Sequence, residues 1–124
     1  MDHNFQDFVR EEYCYLTTIG RITGRPHEIE IWFGLQNRTL YLLSGGGDRA
    51  DWVKNLRRNP IVTVRLANHT FTGQARLVSD QQEEMIARNM LADKYKEREA
   101  DGSLSEWART ALVVAIDVKP EDHQ

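Results

Sequence analysis

The chain has 124 residues, 40% of them hydrophobic and 28% charged, with a formal net charge of −3. That size supports one modest core, so residues 1–124 read as a single domain, too short for a dinucleotide-binding domain beside a substrate domain. No apolar run reaches the ~20 residues of a membrane span, the first residues lack a basic segment followed by an apolar one, and the lone Cys14 excludes an internal disulfide and a cysteine-built zinc site; a cytoplasmic location is expected.

Hydrophobic period predicts the elements in chain order. Residues 4–11 suggest a short helix with Phe5, Phe8 and Val9 on one face. Residues 13–19, rich in aromatic and β-branched side chains, suggest a strand, and GRITGRP at 20–26 a tight connection. Residues 28–35 alternate, with Ile29, Ile31, Phe33 and Leu35 on one face and Glu28, Glu30, Trp32 and Gly34 on the other. Asn37-Arg38 predicts a hairpin turn into a strand at 39–44. Glycines 45–47 break that strand, Asp48 is placed to cap a helix over 49–58, and Pro60 ends it. Residues 61–67 alternate around Val62, Val64 and Leu66, and Asn68-His69 makes a turn. Residues 70–79 follow with Phe71, Ala75 and Leu77 inward. Asp80 starts a helix to about residue 96 whose buried side holds Ile86, Met90 and Leu91. Gly102 interrupts, a helical turn occupies 103–109, and ALVVAIDV forms a final strand. About six strands joined by tight turns, with two or three helices, predict a mainly β, α+β fold: an antiparallel sheet closed or nearly closed into a barrel.

Charge is uneven. Residues 20–67 carry eight basic and four acidic side chains, whereas 80–101 carry four basic and seven acidic ones. An anionic ligand therefore favours the first half, while the negative total and the lack of a basic, aromatic-interleaved stripe argue against nucleic acid. Gly45-Gly46-Gly47, between a strand and a helix start, can present backbone N–H groups to an anion, or serve only as a flexible loop. It is neither a P-loop nor GxGxxG. Arg21 and Arg25, beside Thr18 and Thr23, could bind phosphate or simply decorate a polar turn. Trp32 lies on the polar face of its strand and must cover something: a planar cofactor, a second subunit or a helix. Trp52 and Asn55 share one helix face, which packing and capping would also explain. His3, His27, His69 and His123 are scattered, so no metal ligands are expected. Cys14 reads as a buried hydrophobe, and Glu83-Glu84 and Glu97-Glu99 as solvated helix faces. With no catalytic side chain identified, the chain is expected to work through a bound organic cofactor.

The runs LTTIGRITGRPHEIEIWF and LYLLSGGGDRADWVKNLRRNPIVTV resemble the deazaflavin-dependent nitroreductase family, in the split-β-barrel flavin-binding superfamily that includes the pyridoxamine phosphate oxidases. The resembling pattern is Thr17, Thr18, Gly20, Arg21, Thr23, Gly24 and Pro26, then Ser44, Gly46 and Gly47, then Trp52, Asn55, Leu56, Asn59 and Pro60. The resemblance implies a split β-barrel of the FMN-binding type, usually a homodimer. It implies the deazaflavin coenzyme F-420, or alternatively FMN, as cofactor. It implies hydride transfer to an electron-poor acceptor such as a quinone, nitroaromatic or enone. Arg21, Thr23 and Gly24 would lie near the phosphate-bearing tail, Trp32 would line the ring pocket, and Ser44 to Gly47, Trp52 and Asn55 would complete the site. Ile22, Gly45 and His27 join that site at positions where deazaflavin-using members tend to carry lysine, lysine and arginine, and Glu30 stands where they tend to carry proline. Arg25 and Arg49 offer replacement charge, and Tyr95 and Trp107 are the aromatics that suggest a substrate pocket. The competing reading is a non-catalytic split-barrel dimer that binds FMN or another small ligand.

Overall fold

The computed structural model describes residues 5–120, so His3 and His123 lie outside the described residues. The strands are β1 Cys14–Ile19, β2 Pro26–Ile31, β3 Gly34–Gln36, β4 Thr39–Ser44, β5 Ile61–Leu66, β6 His69–Leu77 and β7 Leu112–Val118. The helices are α1 Asp51–Arg58, α2 Gln81–Tyr95 and α3 Glu106–Thr110. The expected helix at residues 4–11 is a 3-10 turn over Phe5–Phe8 that buries both phenylalanines and leaves Val9 exposed.

The strands form one antiparallel sheet in the order β2-β1-β5-β6-β7-β4-β3. β2 and β3 thus occupy opposite edges, yet only Trp32 and Phe33 separate them in sequence. Three Cα–Cα steps span at most about 11 Å. The sheet must therefore curl until its two edges nearly meet, which makes the barrel. This corrects the expectation of one strand over 28–35. An unbroken strand could not pair with β1 at one edge and β4 at the other, so the alternation breaks at Trp32-Phe33 and seven strands result. The expected hairpin survives as β3–β4, turning at Asn37 with φ 57°. The second hairpin turns at Ala67-Asn68, one residue earlier than Asn68-His69, with Ala67 at φ 53°.

Inside the curl, Leu16, Phe33, Leu42, Leu56, Val64 and Ile116 share one core. On the outside, Tyr41, Leu43, Val113 and Ala115 meet Ala87 and Leu91 of α2. β4 and β7 are therefore buried on both faces, which is why they read as continuous apolar runs, while β5 and β6 alternate.

Two expectations about the helices are corrected. Asp48 does not cap α1: Gly47–Arg49 forms a 3-10 turn and Ala50, without a capping side chain, precedes the helix. Ser44 Oγ–H donates to the Gly47 carbonyl at 2.9 Å and Gly47 adopts φ 62°, so the chain turns at the glycine and the helix starts after it. Asp80 does cap α2, accepting from the Glu83 N–H at 2.8 Å. The buried stripe of α2 is Ala87, Arg88, Leu91 and Ala92, while Ile86 is 39% exposed. Small residues let the helix lie close to the sheet, and Arg88 is buried because it donates to Glu84 and to the Ala108 carbonyl, fastening α3 to α2.

Candidate cofactor site

The turn between β1 and β2 faces the start of α1 across a cleft of about 480 Å³. Asn55, one turn into α1 and 5% exposed, organises it. Its Oδ1 accepts from the Arg21 backbone N–H at 3.1 Å and from Arg21 Nη1 at 2.8 Å, and its Nδ2 donates to Thr18 Oγ1 at 3.2 Å. Arg21 Nη2 also reaches Asp51 Oδ1 at 3.2 Å. The guanidinium is thus fixed along the cleft instead of swinging in solvent.

The turn is built by its own backbone. The Gly20 N–H donates to the Arg25 carbonyl at 2.7 Å, the Gly24 N–H to the Gly20 carbonyl at 2.9 Å, and the Arg25 N–H to Thr23 Oγ1 at 3.2 Å. Gly24, at φ 75°, holds a conformation that other residues rarely adopt. At Gly20 a Cβ would stand 2.8 Å from His27 Nε2, so glycine is what lets the imidazole pack onto the turn. Among the described residues, the N–H groups of Ile22 and Thr23 donate to no protein acceptor.

Arg21, Ile22, Thr23, His27, Trp52 and Asn55 all line this cleft, with Thr18, Gly20, Glu28, Ile29 and Asp51. Gly24 belongs to the same turn. The structure separates the other expected site residues from it. Trp32 stacks face to face on Tyr95, with centroids 4.2 Å apart, and meets Trp107 edge-on at 5.6 Å. The pairing of β2 ends at Ile31, so Trp32 turns toward the helices and not toward the cleft. Ser44 is buried within its own turn, Gly45 lies under Trp107, and Gly46 packs on Ala50; none of residues 44–47 lines the cleft. Instead, Trp32 and Trp107 border a second cavity of about 390 Å³. β2 runs along both, giving His27 and Ile29 to the cleft and Glu30 and Ile31 to the second cavity.

Thr18, Gly20, Glu28, Ile29 and Asp51 are cleft residues left out of the expected site, and Thr18 and Asp51 are the ones bonded to its polar network. Their signals were present: Thr18 is on the inward face of β1, and Asp51 precedes Asn55 by one helical turn.

Electrostatically, the cleft offers a guanidinium, an imidazole, a hydroxyl and two unengaged amides beside the carboxylates of Glu28 and Asp51, the latter paired with Arg21. That donor set fits the phosphate-bearing tail of an organic cofactor and provides no nucleophile–base pair. The one thiol, Cys14, is fully buried, and burial pushes its pKa up to about 12, so it carries no thiolate chemistry.

A curled antiparallel sheet with a donor-lined cleft between its first turn and a short helix defines a split β-barrel of the cofactor-binding kind. Solved structures share the fold: a 5-nitroimidazole antibiotic resistance candidate of Bacteroides thetaiotaomicron is 20% identical, with TM-score 0.73 over 96% of this chain and 82% of that one. A conserved hypothetical protein of Mycobacterium tuberculosis is also 20% identical, with TM-score 0.75 over 97% and 82%. An F420-H2 dependent reductase is 17% identical, with TM-score 0.67 over 85% of this chain and 93% of that one. No curated protein sequence matches the chain. The chain belongs to the F420H(2)-dependent quinone reductase family, which it matches over residues 4–106. It is an oxidoreductase, and its cofactor is the deazaflavin coenzyme F-420.

Proposed function

We propose that the chain passes hydride from the reduced deazaflavin coenzyme to an electron-poor planar acceptor such as a quinone, nitroaromatic or enone, and that it does so as a cytoplasmic homodimer. The observation that carries this reading is the Arg21–Asn55–Asp51 arrangement, which fixes a cation beside two free amides at the mouth of a cleft. Arg21, Thr23 and the Ile22 and Thr23 amides hold the phosphate-bearing tail, and Trp52 and Ile29 supply apolar wall. When bound, the deazaflavin supplies the hydride. The protein's part is to orient that ring, keep water from it and admit the acceptor. Two features go with the dimer and the location: β1 and β5 present Tyr15, Thr17 and the exposed Ile61 on their outer face, and the single, buried thiol suits a reducing compartment.

The test is a parallel titration with the deazaflavin coenzyme and with FMN, read by calorimetry and by quenching of Trp52, which lines the cleft. Saturable binding of the deazaflavin is expected. Arg21→Ala is expected to weaken it by about 1–3 kcal/mol, the range for a charge-assisted hydrogen bond, without changing the circular dichroism. Equal affinity in the variant would remove Arg21 from the site, tighter binding of FMN would change the cofactor, and silence with both would refute the reading. Light scattering during size exclusion checks the dimer.

A further inference from the structure

We propose that the second cavity, between Trp32 and Trp107, is a binding site for a flat aromatic cation. Its lining brings together the aromatic residues Tyr13, Trp32 and Trp107 and the carboxylates Glu30 and Glu97. Trp32 is held in place on one side by its stack on Tyr95 and meets the edge of Trp107, so the box is preset and need not form around its occupant. Aromatic faces carry negative potential and attract cations, most strongly when the cation is partly desolvated. Leu43 and Ile31 add apolar lining against which a flat ring would pack.

The two carboxylates point to the same ligand chemistry. Glu30 Oε1 accepts from the Tyr15 hydroxyl at 2.9 Å, and Glu97 Oε1 accepts from Ser105 Oγ at 2.8 Å. Each is therefore oriented through one oxygen. Neither pairs with a Lys or Arg among the described residues, although Glu28, next along the outer face of β2, pairs with Arg65. The box thus carries two negative charges that the protein does not balance, and an anionic ring would be repelled. The site is separate from the Arg21 cleft, with which it shares no lining residue, and its binding does not depend on the hydride-transfer reading.

The test compares three probes of one shape by calorimetry at neutral pH and low salt: N-methylquinolinium, neutral quinoline and a quinoline carboxylate. The expected result is saturable binding of N-methylquinolinium, about tenfold or more tighter than quinoline, weakened by added salt, with no binding of the carboxylate. Glu97→Gln and Glu30→Gln are each expected to weaken the cation severalfold and to leave quinoline unchanged. Arg21→Ala is expected to leave the cation's affinity unchanged. Equal affinity for cation and neutral probe, indifference to both glutamate variants, or loss of cation binding in Arg21→Ala would each overturn the proposal. Deazaflavin binding without cation binding would defeat this inference and spare the proposed function; the converse would do the opposite.

Discussion

Asn55 uses one amide to tie three parts of the cleft together: the Arg21 backbone, the Arg21 side chain and Thr18. Asn55→Leu keeps the volume but strands those partners. It is expected to cost about 1–3 kcal/mol, read as a lower urea midpoint, and to weaken deazaflavin binding as the turn loosens. Glu83 shows a different kind of residue, one whose charge stabilises the fold. The Tyr41 hydroxyl donates to it at 2.6 Å and Arg76 at 2.7 and 2.9 Å, which lowers its pKa to about 2, Arg76 being the larger cause. Asp117, bonded by the same Arg76, is lowered too. Both folded values lie below the unfolded ones near ~4, so the stabilisation is full above that pH and is lost as pH falls toward about 2. With the partial exposure of Arg76 discounted, Glu83 contributes on the order of 1–2 kcal/mol. Urea unfolding across that acid range is expected to show a shallower fall in stability for Glu83→Gln; an unchanged slope would mean the charge stabilises nothing.

At the scale of elements, the decisive feature is the two-residue crossing from β2 to β3. Phe33 is fully buried there, and its backbone leaves the ladder. α2 satisfies it from its last turn: the Phe33 N–H donates to Tyr95 Oη at 3.0 Å, the Tyr95 hydroxyl donates to the Glu12 carbonyl at 2.7 Å, and Lys94 Nζ donates to the Phe33 carbonyl at 3.0 Å. Tyr95→Phe keeps the stack on Trp32 but leaves a buried N–H without a partner, an expected loss of about 1–3 kcal/mol in urea unfolding. Lys94 is held over the Phe33 ring at 3.7 Å, and burial pulls its pKa down to about 8. The folded value lies below the unfolded one of ~10.4, so the folded state binds fewer protons between them and stability from this group rises with pH over that window. Lys94→Met is expected to abolish that rise in alkaline unfolding titrations; a rise that persists would assign it elsewhere.

For the molecule as a whole, curling one sheet until its edges approach creates two cores, one inside the barrel and one between its outer wall and α2 and α3. Leu16, fully buried at the centre of β1, belongs to the inner one. Leu16→Ala is expected to cost about 2–5 kcal/mol, as lost burial plus a cavity that a closed barrel collapses into poorly. A much smaller drop in the urea midpoint would mean that the barrel relaxes easily. The same closure puts β2 along both cavities, so one strand lines the Arg21 cleft with His27 to Ile29 and the aromatic cavity with Glu30 and Ile31.

The sequence by itself determined the antiparallel, β-rich, helix-supported architecture, because period-two burial at Val62, Val64 and Leu66 and the Asp80 cap are local signals. It also determined the first half of the cleft, since Arg21 to Gly24 and His27 sit within one short turn and Trp52 and Asn55 within one helical turn. Only the tertiary structure decided the break at Trp32-Phe33, because it follows from which strands occupy the edges, and edge order is set by non-local pairing. The same pairing placed Trp32 and the glycine loop away from the Arg21 cleft. Continuous alternation in 28–35 carried no mark of where one strand had to serve two partners.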